Sequence, residues 1–230
     1  MNTNETIVMS VGGSLIVPDQ IDSNFLKGLK TFINEEISAG RRFIIIAGGG
    51  KTARRYQDAA SEVTDLENED LDWIGLHATR LNGHLLRTIF RDVAHPGMIK
   101  NPDDILDVPK DAKVVIAAGY RPGASTDLRA IQIANLVGAK KVINLSNIDY
   151  VYTDDPRTNP DATKIEKITW AEFRELIPKE WDPGLSSPFD PVAAKEADEK
   201  GIEVAIINGN RTDALTDYLD NKEFVGTVIS

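Results

Sequence analysis

Three glycine-bearing segments of this 230-residue chain combine what phosphate chemistry needs, bare backbone amides and local positive charge. They are Gly12-Gly13-Ser14, Gly48-Gly49-Gly50-Lys51, and the run Gly119-Tyr120-Arg121-Pro122-Gly123-Ala124 leading into Ser125-Thr126. Glycine lets the main chain approach a phosphate closely and leaves its N–H groups free to donate, and a helix starting just beyond adds the positive end of its dipole. The triple glycine is the strongest of the three. Lys51, Arg54 and Arg55 follow it at once and supply the cations that a phosphoryl-transfer transition state calls for. Other phosphate motifs fail on spacing. No glycine stands where a Walker A loop requires one ahead of Lys51, and Gly48, Gly50 and Ala53 make only a partial dinucleotide fingerprint, placed after the second strand. Taken singly, each cluster reads equally as a tight turn; three of them at strand ends read as a shared cradle.

Each cradle segment needs an element to hold it. The runs Thr6 to Val11, Arg42 to Ala47 and Lys113 to Ala118 are short and apolar and stop at glycine, as buried strands do. A helix follows Asp22-Ser23, with Leu26, Leu29, Phe32, Ile33 and Ile37 at helical spacing and Gly40 as its stop. Further helices are predicted over roughly Thr52 to Glu62, Asn68 to Asp92 and onward from a cap at Ser125 or Thr126. Beyond them come a strand at Lys141 to Leu145, a polar loop to Thr158, a helix near Thr169 to Leu176 and a Pro- and Gly-rich loop reaching Pro188. A helix from Asp190, a strand Glu203 to Ile207 and a helix Thr212 to Leu219 end the chain. Asp190, ahead of a proline, reads as a helix N-cap or a residue near the site. This alternation implies an α/β fold, a three-layer α/β/α sandwich with a mostly parallel central sheet and ligands at the carboxyl ends of its strands.

The long helix from Asn68 carries two stripes. Asp72, Gly75, Thr79 and Asn82 fall on one line, while Ile74, Ala78, Leu81 and Leu85 make a separate apolar line. The polar stripe faces either solvent or a cleft, and Gly75 within it argues for the close approach of something else. Arg80 reads either as a phosphate or subunit contact or as a surface ion pair.

A formal charge of −10 disfavours a general nucleic-acid or anionic-membrane surface, both of which need clustered Lys and Arg. With no cysteine and only His77, His84 and His95, disulfides and thiolate metal sites are excluded, and no zinc site or other protein-held metal site is read. The polar, acidic start Met1-Asn2-Thr3-Asn4-Glu5 shows no signal peptide, so a cytoplasmic protein is expected.

The segments VGGSL (11–15), AGGGKTARRY (47–56), DWIGLHATRLNGHLL (72–86), RPGASTD (121–127), SNIDYVYTDDPRTNPDA (146–162), PFDPVAAKEA (188–197) and the late Gly226-Thr227 together resemble the amino acid kinase family, and within it the archaeal-type uridylate kinases. The resemblance spans nearly the whole chain. It implies a single kinase domain with an acceptor lobe over about 1–138 and an ATP lobe over about 139–230, transfer of a phosphoryl group from ATP with Mg2+ to UMP, and a homo-oligomer, typically a hexamer. It also implies roles for particular residues. Gly13, Ser14, Gly50 and Arg54 would contact ATP phosphates, and Gly49 would approach the acceptor. Asp72 would hold the ribose of UMP, and Tyr120, Arg121, Pro122, Gly123, Ala124, Ser125 and Thr126 would wrap its phosphate and base. Ser146, Asn147, Tyr152 and Asp155 would hold adenosine. Lys51 is assigned to the transferring phosphate on charge and position.

Two positions depart from the family pattern. Ser10 stands where many members carry lysine, and Tyr150 where glycine is usual; the ring is read as a possible stacking partner for adenine. Within the same fold, an amino acid, carbamate or isopentenyl phosphate is an alternative acceptor, and a non-catalytic nucleotide-binding protein related to molybdenum storage proteins is an alternative class.

Overall fold

Runs of Val, Ile and Phe with no polar alternation must be covered on both sides, and the strands they form lie inside a sheet between two helical layers. A computed structural model describes residues 5–180 and 187–230; the stretch 181–186 of the predicted Pro- and Gly-rich loop, and the first four residues, lie outside the described residues. The first half of the chain forms β1 (Thr6–Val11), α1 (Gly13–Ile16), α2 (Ser23–Ser38), β2 (Arg42–Ala47), α3 (Gly50–Ser61), α4 (Asn68–Ile89), a 3₁₀ helix (Pro102–Asp107), β3 (Val114–Ala117) and α5 (Thr126–Val137). The second half forms β4 (Lys141–Ser146), β5 (Val151–Tyr152), β6 (Lys164–Ile165), β7 (Lys167–Ile168), α6 (Trp170–Leu176), α7 (Pro191–Lys200), β8 (Glu203–Asn208), α8 (Thr212–Leu219) and β9 (Thr227–Ile229).

The main sheet has the order β3-β2-β1-β4-β8-β9-β7. The pairings from β3 through β8 are all parallel, whereas β9 runs antiparallel to β8 and pairs in parallel with β7. Successive residues of each strand serve opposite faces. Ile7, Met9 and Val11 with Phe43 and Ile45 join the cluster that α2, α4 and α8 cover, through Phe32, Leu86 and Leu215 among others. Val8, Ile44, Ile46 and Val115 join the other cluster, under Ile131 of α5, Phe173 of α6 and Ala194 of α7. The three-layer arrangement expected from the alternation of strands and helices is therefore present.

Helix ends fall where local chemistry puts them. Asp22 caps α2 by accepting from the N–H groups of Asn24 and Phe25, and Ser125 caps α5 by accepting from Leu128 N at 3.1 Å. Gly138 and Gly201 close α5 and α7 in the left-handed conformation. Asp190 is an N-cap, its carboxylate accepting from Ala193 N at 2.7 Å.

The short elements are the ones the pattern does not announce. Gly13 opens a single helical turn rather than a loop. The polar stretch after β4 contains a hairpin, β5 with β6, tied to the sheet edge by the fully buried Thr227, whose hydroxyl accepts from Val151 N at 2.9 Å. The short strands β9 and β7, the latter at the edge, exist through partners distant in the chain, such as Val228 N donating to Glu166 O and Ser230 N to Ile168 O. No helix among the described residues is long and apolar enough to cross a membrane.

Candidate active site

The strand order reverses direction at β1: β2 and β3 lie to one side, β4 and β8 to the other. Parallel sheets bind ligands in the crevice at such a switch, beyond the carboxyl ends. Gly12 N donates to Leu145 O and Gly48 N to Val11 O, each at 2.9 Å, so the ends of β4, β1 and β2 are held in one line. There the first two glycine segments meet backbone to backbone. A β-carbon placed on Gly13 would overlap the Gly50 nitrogen, and one on Gly50, whose φ is +64°, would overlap the Gly13 carbonyl. Ser14, next in α1, is carried to the same edge.

The polar stripe of α4 faces the cleft. Asn82, buried to 3% exposure, donates from Nδ2 to Gly48 O at 2.8 Å and Gly49 O at 3.1 Å. Thr79 accepts from Gly119 N at 2.9 Å through Oγ1, and Asp72 accepts from Gly123 N at 2.7 Å. One helix thus reaches the second and third glycine segments together. Arg80 is neither a surface ion pair nor an open phosphate contact: its guanidinium donates to Gly119 O at 3.1 Å and Tyr120 O at 2.9 Å. Leu81, read with the apolar stripe, is 63% exposed on the outer face of α4, whereas Ala78 of the same stripe is buried and Leu85 packs on the core.

A cavity of about 270 Å³ lies between α3, α4 and the 119–126 segment. Gly49, Gly50, Arg54, Asp72, Arg121, Pro122, Ala124, Ser125 and Thr126 line it, together with Gly75 and Thr79. Gly123 stands at its edge through the bond to Asp72. The Tyr120 ring lies instead beside the guanidinium groups of Arg121 and Arg129, 5.8 and 5.7 Å from its centre. Lys51 does not line the cavity. Its ammonium pairs with Asp19 at 3.1 Å, and Arg55 shares that carboxylate at 2.8 Å. Of the three cations of α3, Arg54 lines the cavity while Asp19 holds the other two.

On the other side of the switch, Ser146 ends β4 and its carbonyl accepts from Gly209 N at 2.9 Å. Asn147 follows, exposed. Asn208, at the end of β8, donates to Asp149 at 2.8 Å, and Arg211 lies 3.9 Å from the same residue. Sequence reasoning missed Asp149, Asn208 and Arg211, which only the parallel pairing of β4 and β8 brings together. Tyr152 belongs to β5. Asp155 holds a turn, accepting from the Arg157 backbone at 2.9 Å and its guanidinium at 2.8 Å, and the Arg157 hydrogen bonds lower its carboxyl to about 2. Tyr150 carries no backbone strain, since Asn221 is the one non-glycine residue with positive φ among the described residues. Its ring lies under the Lys164 ammonium at 4.8 Å.

Ser10 is almost wholly buried and donates to Asp127 at 3.0 Å, as does Asn144 Nδ2. Asp127 therefore has two neutral donors and no cation within ion-pair distance among the described residues. Burial pushes its carboxyl up to about 6, Asp190 adds to that push, and the Ser10 and Asn144 bonds oppose it.

This fold, with glycine segments meeting at the switch point, is that of the amino acid kinase family, whose model matches residues 5–208; the chain belongs to that family. A uridylate kinase of Pyrococcus abyssi is 33% identical to it over 96% of this chain and 98% of the relative, and one of Methanospirillum hungatei is 33% identical over 98% and 94%. Among solved structures, uridylate kinase from Archaeoglobus fulgidus aligns with a TM-score of 0.81 at 28% identity, covering 97% of this chain and 99% of that one. UMP kinase from Ureaplasma parvum aligns with a TM-score of 0.80 at 23% identity over 99% of each chain, a likeness of fold.

Two outcomes test the site's construction. Gly13→Ala forces apart two backbones that cannot yield cheaply and is expected to lower stability by about 2 kcal/mol or more, read by urea unfolding; an unchanged midpoint would show that the segments do not touch. For Asp127, a folded-state value above the ordinary 3.8 means the neutral form favours folding, a contribution complete below pH 3.8 and lost as pH rises through about 6. Asp127→Asn should therefore gain stability relative to the parent between pH 4 and 7, by about 2–3 kcal/mol, then level off. A difference independent of pH would remove the desolvated carboxylate.

Proposed function

We propose that the chain transfers the γ-phosphoryl group of ATP, taken as its magnesium complex, to UMP, giving ADP and UDP. The observation that carries this reading is the meeting of Gly13 with Gly50 beside a cavity walled by Gly49, Arg54, Asp72 and Arg121. Two anionic ligands could approach end to end there, one from each side of the switch. The uridylate kinases of Pyrococcus abyssi and Methanospirillum hungatei, similar along nearly their whole length, supply the choice of acceptor.

In this reading UMP occupies the cavity on the side of residues 1–138, with Asp72 accepting from its ribose hydroxyls and Ser125, Thr126 and Arg121 on its phosphate. ATP lies across the ends of β4 and β8, on the side of 139–230, with adenosine near Ser146, Asn147, Tyr152 and Asp155. Its terminal phosphate rests on the N–H groups around Gly13, Ser14 and Gly50. An oxygen of the UMP phosphate attacks the γ-phosphorus; the bond from that phosphorus to the β-phosphate oxygen breaks, and ADP leaves with the electron pair. The attacking oxygen is already an anion, so no general base is needed. The chain supplies alignment and positive charge, and Arg54 and Arg121 are the cavity-wall cations placed to share it. Lys51, paired with Asp19 at 3.1 Å, stands outside the cavity lining.

With a net charge of −10, nucleic acid and anionic membranes are not partners in this reading, and the enzyme works in the cytoplasm. The exposed stripe Trp73, His77 and Leu81 on α4 supports a homo-oligomer, a hexamer by family resemblance: Trp73 and His77 stack at 6.1 Å on a face that otherwise leaves apolar surface in water.

An ADP-release assay across UMP, CMP and non-nucleotide acceptors tests the reaction, with UMP expected to be preferred. Asp72→Asn should raise the KM for UMP about tenfold with little change for ATP, and Arg54→Met should lower kcat on the order of 10²-fold. Faster turnover of another acceptor would sink the assignment. Leu81→Glu is expected to shift the mass seen by light scattering toward smaller species, and an unchanged mass would move the interface elsewhere.

A further inference from the structure

A second polar cavity of about 270 Å³ opens beside α5 and shares Arg121 with the cavity described above. Arg121, Arg129, Gln132 and Asn135 line it, with Asp103 and Glu196 also present. Arg129 is unusual among the chain's cations. It is only 5% exposed, its Nη1 donates to a neutral acceptor, Gln132 Oε1, at 2.7 Å, and its Nε is buried without any partner. Neither Arg129 nor Arg121 forms an ion pair within 4.0 Å among the described residues, although two carboxylates line the same cavity. A buried guanidinium left without an anion is costly. Were Arg129 there only to balance Asp103 or Glu196, it would be bonded to one of them.

Two guanidinium groups also converge on this place. Arg121 and Arg129 flank the Tyr120 ring at 5.8 and 5.7 Å; burial and then the charge of Arg121 lower the Arg129 value, and Tyr120 and the unbonded Glu196 only partly oppose them. Like charges sharing a cavity suit a compact dianion that neutralises both, and planar forked donors match phosphate oxygens.

We propose that this second cavity is a phosphate-binding site, distinct from the two nucleotide sites, and that it takes free phosphate or the phosphate end of a nucleotide. Because Arg121 lines both cavities, an occupant here draws Arg121 toward Arg129 and weakens the hold on UMP. That coupling rests on the function proposed above; the site itself does not.

The test is a titration of the full chain with inorganic phosphate while UMP and a non-transferable ATP analogue fill the nucleotide sites, read by calorimetry without turnover. The parent should take up one phosphate, and Arg129→Met should bind it at least tenfold more weakly. Asn135→Leu, which fills the cavity without touching the buried arginine, should do the same should the first variant fold poorly. In the kinetic arm, phosphate should raise the KM for UMP more in the parent than in Arg129→Met, whose own kcat stays near the parent value. A nucleoside triphosphate that displaces the phosphate, and binds more tightly, marks a nucleotide as the occupant; no displacement marks free phosphate. No phosphate uptake by the parent, or equal uptake by parent and both variants, overturns the site. Uptake with no difference in the UMP response overturns only the coupling.

Discussion

Two backbones that carry no side chain, at Gly13 and Gly50, lie against each other at the ends of adjacent strands, and most of the site follows from that contact. Any β-carbon there would push the first helical turn away from α3 and separate the amides that make a phosphate cradle. The contact also explains why α4 is built as it is. A helix that must hold two backbone segments without side chains of their own needs polar groups at the right heights, and Asn82, Thr79 and Asp72 supply them to Gly48 and Gly49, to Gly119, and to Gly123 in turn. Closely packed interiors transmit such placement with little slack.

Electrostatics in this acidic chain is local. Its overall charge repels anions, yet the cleft presents Arg54 and Arg121 and many N–H donors on one wall. Lys51 and Arg55 are held by Asp19 at the rim, a surface arrangement worth little to stability by itself but one that decides which cation faces inward. At the centre of the sheet, Ser10 and Asn144 hold the Asp127 carboxylate with neutral hydrogen bonds. Serine at position 10 brings no charge to that spot, so the carboxylate has no cation to offset its burial and its value is raised.

Much of the fold was legible because the strongest signals are local and repetitive. Unbroken apolar runs demand a sheet covered on both faces, Asp22 and Ser125 announce helix starts, and Gly40 announces a stop. The hairpin β5–β6 and the strands β7 and β9 were not legible. Two or three residues carry no period, and their hydrogen-bond partners, Thr227 and the 166–168 segment, lie tens of residues away.

By itself the sequence determined the three glycine segments, the charges beside them and the layered α/β architecture, since each depends on residue type and short-range spacing, while the family came from resemblance along the chain. The tertiary structure alone decided that Arg54 rather than Lys51 lines the cavity, that Arg80 clamps a loop, that the polar face of α4 turns inward while Leu81 stays in water, and that Arg129 is buried without an anion. Those outcomes depend on which side of a helix meets a neighbour, and spacing along one helix defines its faces without saying what each will touch.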